Sequence, residues 1–233
     1  MDRKIPFFNR TIADMFLDNV ISRGNKMAYQ YDNVFWSWNE IHIASEIMAD
    51  ELITLGVKPG MKVGIWSPNS INYVIAFFAI QKVRAISVLL NTNYRAEELE
   101  DTIKIANIEY ICYGACPSIV NDEDLLKRFK LDVNNPLKNI LSISDDNNYL
   151  LRMKEYAFLD FEYVANQCDS EKEVACILFT SGSTLKPKAV QLTHFNVINT
   201  AYESALAYNL SEKDSICMAL PLFHCFGIVF CIL

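Results

Sequence analysis

The sequence predicts an α/β fold with a mostly parallel sheet flanked by helices, and three observations carry that prediction. Short apolar runs alternate with longer stretches of helical periodicity along the chain, the order that builds βαβ units with right-handed crossovers. Hydrophobic residues occupy 52% of the 233 positions, enough for a sizeable core. No Pro/Gly/Ser-rich linker, low-complexity tract or repeat divides the chain, so residues 1–233 read as one incomplete N-terminal domain without an internal boundary or a C-terminal domain.

The elements follow in order. Ile12, Met15, Phe16, Leu17, Val20 and Ile21 recur at helical spacing, so Thr11 to Ser22 is a helix capped by Asn9 or Thr11. Met27–Tyr31 and Val34–Trp38 flank the turn-forming pair Asp32-Asn33 and predict a hairpin, with the aromatics of Phe35-Trp36-Ser37-Trp38 packed along its edge. Ser37 or Asn39 opens a helix through Leu55, which stops at Gly56. A strand at Val63–Trp66, a buried helix at Ser70–Lys82, a strand at Ala85–Leu90, an amphipathic helix at Ala96–Ala106 and a strand at Ile108–Tyr113 come next. Asn121 to Glu173 carries 12 acids against 7 bases, which marks the solvated periphery; it holds a helix at Glu123–Phe129, a strand at Asn139–Ile143 and a helix at Phe161–Gln167. Strands at Val174–Phe179 and Val190–Leu192, a helix from Thr193 or His194 to Tyr208, and a last strand at Ser215–Leu220 complete the pattern. Cys225–Leu233 has the composition of a buried segment with no cap or polar face, so the chain is read as the front part of a longer protein, marginal in solution on its own.

Composition narrows the function. The net charge of −7 argues against unaided nucleic-acid binding. Seven cysteines, none spaced CxxC, together with an N-terminus lacking a signal-peptide core, fit a reducing cytoplasm without disulfides. The longest clean apolar run, Val74–Ile80, is far short of the roughly 20 residues of a membrane span. Cys112 and Cys116, and the His224-Cys225 pair, have no second matched pair at zinc-ligand spacing, and no G-x-S-x-G marks a hydrolase nucleophile. His42 reads as a residue on a helix surface.

The chemistry concentrates in Thr180-Ser181-Gly182-Ser183-Thr184-Leu185-Lys186-Pro187-Lys188-Ala189, directly after a predicted strand. Hydroxyls and backbone amides donate to phosphate oxygens, Gly182 permits close backbone approach, and Lys186 and Lys188 offset anionic charge. No acid stands between Glu173 and Glu203, so the local field favours an anion. Spacing excludes a Walker A loop and a GxGxxG turn, and on composition alone a solvated Ser/Thr turn without a ligand competes with the phosphate loop.

Order and spacing add a resemblance. FTSGSTLKPKAVQLTH is similar to the phosphate-binding signature of the adenylate-forming superfamily, the AMP-dependent synthetases and ligases, whose usual form is Thr-Ser-Gly-Ser/Thr-Thr-Gly-x-Pro-Lys-Gly. Ile65-Trp66-Ser67-Pro68-Asn69-Ser70 resembles the family's strand-to-helix turn, Ala85 to Glu98 its GAxxVPLNPxYxxxE segment, and Pro221-Leu222-Phe223-His224-Cys225-Phe226-Gly227 its PLFHxxG motif. The flavour is that of fatty acyl-CoA synthetases, which implies the front part of that fold's large N-terminal domain.

The resemblance implies an ATP-dependent, AMP-forming acyl-CoA ligase: a carboxylate and ATP give an acyl-adenylate, then a thioester with CoA. It implies that Thr180, Ser181, Gly182, Ser183 and Thr184 wrap the β and γ phosphates with Lys188, that Thr184 sits near Mg²⁺, and that His224 orients the carboxylate by the acyl pocket. Lys188 and His224 are thus the catalytic candidates, and a small-molecule carboxylic acid, a fatty acid in the first instance, is the partner. The Thr193-His194 pair resembles a structural, capping pair. Leu185, Ala189 and Arg84 stand where the family carries Gly, Gly or Ala, and Gly. The family's Tyr-Gly-x-Thr-Glu motif and C-terminal Lys have no counterpart here, so the chain alone is expected to turn over no substrate. The alternative is a truncated, non-catalytic relic or a nucleotide- or acyl-binding module.

Overall fold

The computed structural model describes residues 7–116, 122–143, 169–180 and 187–233. Helix α1 (Ile12–Arg23) begins at Thr11, whose hydroxyl accepts from the Asp14 N–H while the Asp14 carboxylate accepts from the Thr11 N–H, a reciprocal cap. Strands β1 (Met27–Tyr31) and β2 (Val34–Ser37) pair antiparallel. Asp32 (φ 47°) and Asn33 (φ 63°) both sit in the left-handed region, as a primed two-residue turn requires. Trp36 packs inward and Phe35 points to solvent. Helix α2 (Trp38–Thr54) repeats the capping box with Ser37 and Glu40 and ends before Gly56, whose φ of +98° suits a residue without Cβ.

The main sheet has the order β6-β5-β3-β4-β7-β8. Its strands are β3 (Lys62–Trp66), β4 (Ile86–Leu89), β5 (Tyr110–Tyr113), β6 (Asn139–Ser142), β7 (Val174–Thr180) and β8 (Lys188–Thr193). The first five run parallel, and β8 returns antiparallel along β7. Helix α3 (Ile71–Lys82), capped by Ser70, is buried from Ile71 to Gln81 because it lies between the sheet and the α1 and α2 layer. Helices α4 (Ala96–Ala106) and α5 (Asp122–Leu131) cover the other face, where Leu99, Ile103, Leu126 and Phe129 meet Trp66, Val88 and Ile111. Full burial of side chains such as Phe77 and Phe78 contributes about 2 to 3 kcal/mol each. Helix α6 (His194–Ala207) packs on the α3 face, and a one-turn helix α7 (Cys225–Gly227) runs into a π-helical turn at Ile228–Ile232.

Arg84 shows how a left-handed position tolerates a side chain. Its φ is 56°, which costs a non-glycine residue about 1 kcal/mol or more. Its N–H donates to Gln81 O (3.1 Å), its carbonyl accepts from Gly60 N–H (2.8 Å), and its guanidinium donates to the Glu173 carboxylate (2.7 Å). These bonds hold the turn between α3 and β4 in that geometry.

Three sequence expectations change. Ser215–Leu220 is not a strand: its backbone has no ladder partner among the described residues, and alternation alone does not make a strand without a neighbour. His42 is not a free surface residue. Its side chain is 29% exposed, because α3 packs beside that face of α2 and brings Lys82 Nζ to 3.0 Å from His42 Nδ1. His194 does cap, but not its own helix; Thr193 caps α6, while His194 Nδ1 accepts the Ile12 N–H of α1 (3.2 Å). The helix expected at Phe161–Gln167 lies outside the described residues.

Candidate functional site

Open parallel sheets gather ligands where the strands end at their carboxyl edge. Here β3 runs into Ser67, β5 into Gly114 and β7 into Thr180 along one rim. A Cβ on Gly114 would meet Ser67 Oγ at 2.3 Å, so only glycine lets these two turns close on each other. The turn after β3 reaches further: Asn69 Nδ2 donates to Leu220 O (2.7 Å), and the Leu222 N–H donates to Asn69 Oδ1 (2.8 Å). One amide thus holds the segment that leads to His224, across more than 150 positions. Nothing local in the sequence announces this clamp, although Asn69 stands inside a recognisable motif.

The β7–β8 register places Thr180 directly opposite Lys188, both exposed. Side-chain alternation puts Cys176, Leu178 and Thr180 on one face of β7, opposite Leu192, Val190 and Lys188 of β8. A hydroxyl and an ammonium group therefore stand at the feet of the segment 181–187, at the rim. Ser181, Gly182, Ser183, Thr184, Leu185 and Lys186 lie outside the described residues, and with them the expected Mg²⁺ neighbour Thr184. Among the described residues no cluster of three or more His, Cys, Asp or Glu side chains could hold a metal ion.

Below the feet, on the same face, a cavity of about 370 Å³ opens between β7, α6 and the π-helical turn, with Leu178, Leu192, Val197, Ile228 and Phe230 among its walls. Cys176 and Cys225 also border it. Burial pushes the Cys176 thiol up to about 12, which keeps it protonated and inert. His224 directly precedes Cys225 in the chain; it is exposed and serves as the N-cap of α7. Its Nδ1 accepts from the Phe226 N–H (3.3 Å) and lies 3.6 Å from Cys225 Sγ. The structure thus sets Thr180 opposite Lys188 and places the neighbour of His224, Cys225, in the cavity wall.

The Asn69 clamp gives a test. Asn69→Ala removes both bonds, worth about 1 to 2 kcal/mol together, and should raise amide exchange at Leu222 roughly tenfold. Exchange at the wild-type rate would show that the segment is held by something else.

Comparison with known proteins gives a consistent picture. The family described as AMP-binding enzyme matches residues 16–233. A mitochondrial medium-chain acyl-CoA ligase of Danio rerio is 28% identical over 227 residues, covering 87% of this chain and 37% of that protein. A 2-succinylbenzoate–CoA ligase of Bacillus cereus is 27% identical over 218 residues, covering 94% of this chain and 40% of that protein. The crystal structure of a long-chain fatty acid–CoA ligase from Archaeoglobus fulgidus superposes with a TM-score of 0.78 at 27% identity, over 97% of this chain and 45% of that one. The chain spans about two fifths of the length of the curated relatives it matches.

Proposed function

The chain belongs to the AMP-binding enzyme family, and from that premise we propose that it supplies the phosphate-gripping and acyl-seating part of an AMP-forming acyl-CoA ligase. The parent reaction joins a carboxylate to ATP as an acyl-adenylate, releasing pyrophosphate, and then transfers the acyl group to the thiol of CoA, releasing AMP. The observation that carries this reading is the Thr180–Lys188 pair at the carboxyl rim of the sheet, on the same face as an apolar cavity.

In this reading Thr180 and the Ser181-Gly182-Ser183-Thr184 run donate to the β and γ phosphates, and Lys188 offsets their charge at the foot of the loop. Mg²⁺, when bound near Thr184, neutralises the phosphate charge further. The hydroxyl and ammonium groups facing each other at the rim suit an anionic ligand. His224, next in the chain to the cavity-lining Cys225, meets the carboxylate. The apolar walls favour an alkyl acid over a short diacid, so we assign a fatty acid as the substrate. Cysteines without a matched spacing favour the cytoplasm; no helix among the described residues is long and apolar enough to cross a membrane.

Calorimetry with ATP tests the phosphate grip. Lys188→Ala should weaken ATP binding about tenfold through loss of one charge-assisted contact, while Lys58→Ala, a control on the loop after α2, should not. Equal affinities for wild type and Lys188→Ala would overturn the assignment. Displacement of a fluorescent fatty acid by dodecanoate but not by succinate tests the acyl seat separately.

A further inference from the structure

We infer that Cys225, with His224 as its base, is an S-acylation site loaded from an acyl thioester whose chain lies in the adjoining apolar cavity. The geometry has three parts. Cys225 borders the cavity and is also exposed, so its sulfur can meet an acyl carbonyl from the apolar side while the leaving group departs to solvent. His224 Nδ1 lies 3.6 Å from Sγ, within hydrogen-bonding reach for sulfur; its one lone pair receives the Phe226 N–H at 3.3 Å and takes the thiol proton by exchanging that bond for the sulfur. The cavity, about 370 Å³ with mostly apolar walls, is of ligand size and concentrates alkyl chains next to the thiol.

The step balances without an oxidant or a second co-reactant. His224 takes the Cys225 proton, Sγ forms a bond to the acyl carbon, and the bond from that carbon to the sulfur of the donor thiol breaks. The proton passes to the departing thiolate. One thioester is exchanged for another, so the transfer is reversible and follows the ratio of acyl thioester to free thiol. Cys176 borders the same cavity, but burial holds its thiol protonated, and it is not the acceptor.

Two described cysteines separate this site from ordinary thiol reactivity. Cys217 is exposed like Cys225 but does not border the cavity. The experiment incubates the chain with dodecanoyl-CoA or acetyl-CoA, without ATP, and maps hydroxylamine-labile adducts by peptide mass spectrometry. Expected are dodecanoylation of Cys225 at least roughly tenfold faster than of Cys217, faster labelling by dodecanoyl-CoA than by acetyl-CoA, and a tenfold or greater slowing in His224→Asn. Asparagine keeps a cap acceptor for α7 while removing the base. Equal labelling of Cys217 and Cys225, no preference for the longer chain, or an unslowed His224→Asn would overturn the inference. It shares the cavity with the proposed acyl seat but not the ligase reaction. If dodecanoate displaces the fluorescent fatty acid and Cys225 stays unlabelled, the modification site fails and the acyl seat stands.

Discussion

Acidification from pH 6.5 to about 4 is expected to remove about 4 kcal/mol of stability, through two imidazoles that serve the fold only when neutral. His42 Nδ1 receives Lys82 Nζ at 3.0 Å, and His194 Nδ1 receives the Ile12 N–H at 3.2 Å. A proton on either nitrogen turns an acceptor into a donor facing a donor. Both rings are lowered from 6.5 to about 4, chiefly by burial; Lys82 adds to the lowering at His42, while at His194 Glu173 and Asp14 oppose it and Arg84 adds to it. Above pH 6.5 both rings are neutral whether the chain is folded or not. Below it the unfolded chain takes up protons that the fold refuses, so stability falls with pH until the folded rings titrate near 4. A shift of that size is about 3 kcal/mol per ring at face value, and partial exposure and solvent screening bring it to about 2. The carboxylates of Asp169 and Asp214, whose ordinary value is 3.8, are lowered still further by hydrogen bonds and titrate below this window. Urea midpoints at pH 7.5 and 5 read the effect, and His42→Gln with His194→Asn should flatten the profile. A wild-type midpoint unchanged between those two pH values would refute the prediction.

The second large effect lies at Lys82, the cation that joins α2 to α3. Its side chain is 7% exposed, and it bonds His42 Nδ1, the His42 carbonyl (3.1 Å) and the Glu46 carboxylate, with the Phe16 ring centroid 5.4 Å away. Burial pulls its ammonium down to about 8 even though Glu46 supports the charge. Lys82→Met should lower stability by about 3 kcal/mol, chiefly because Glu46, only 16% exposed, keeps a carboxylate without its partner. Adding Glu46→Gln should recover at least half of the loss. The acid sensitivity of His42 should also shrink in Lys82→Met, since a proton on the ring would then face Glu46 at 3.8 Å without an opposing ammonium. A loss below 1 kcal/mol, or a double variant no better than the single one, would mean that the cluster is not stabilising.

The legible parts of this fold are those decided within a few residues. Thr11, Ser37, Ser70 and Thr193 each open a helix by bonding a backbone N–H three positions on. Asp32-Asn33 and Gly56 mark turns through their tolerance of positive φ. Strand and helix order then implies the parallel sheet. What stays hidden is set by topology: His194 reaches Ile12 across 182 positions, and Lys82 reaches Glu46 across 36. Ser215–Leu220 has the composition of a strand, but a ladder needs two partners, and composition describes one. At the site, motif spacing points to Thr180, Lys188 and His224, yet only strand pairing sets Thr180 against Lys188, and only packing turns Cys225 toward a cavity. Ser181 to Lys186 were legible as a motif and lie outside the described residues.

The opposed feet of the 181–187 segment bear on how this region can change length over generations. Insertions or deletions between Thr180 and Lys188 leave both feet in register, because β7 and β8 pair outside the altered stretch. A single residue added between Lys188 and Thr193 acts differently: α6 stays anchored through Thr193 and His194, and the residues before the insertion slip by one, which turns Lys188 to the opposite face. Two added residues restore it. Length variation among descendants of this chain should therefore collect between the feet without regard to parity, and within β8 it should come in twos.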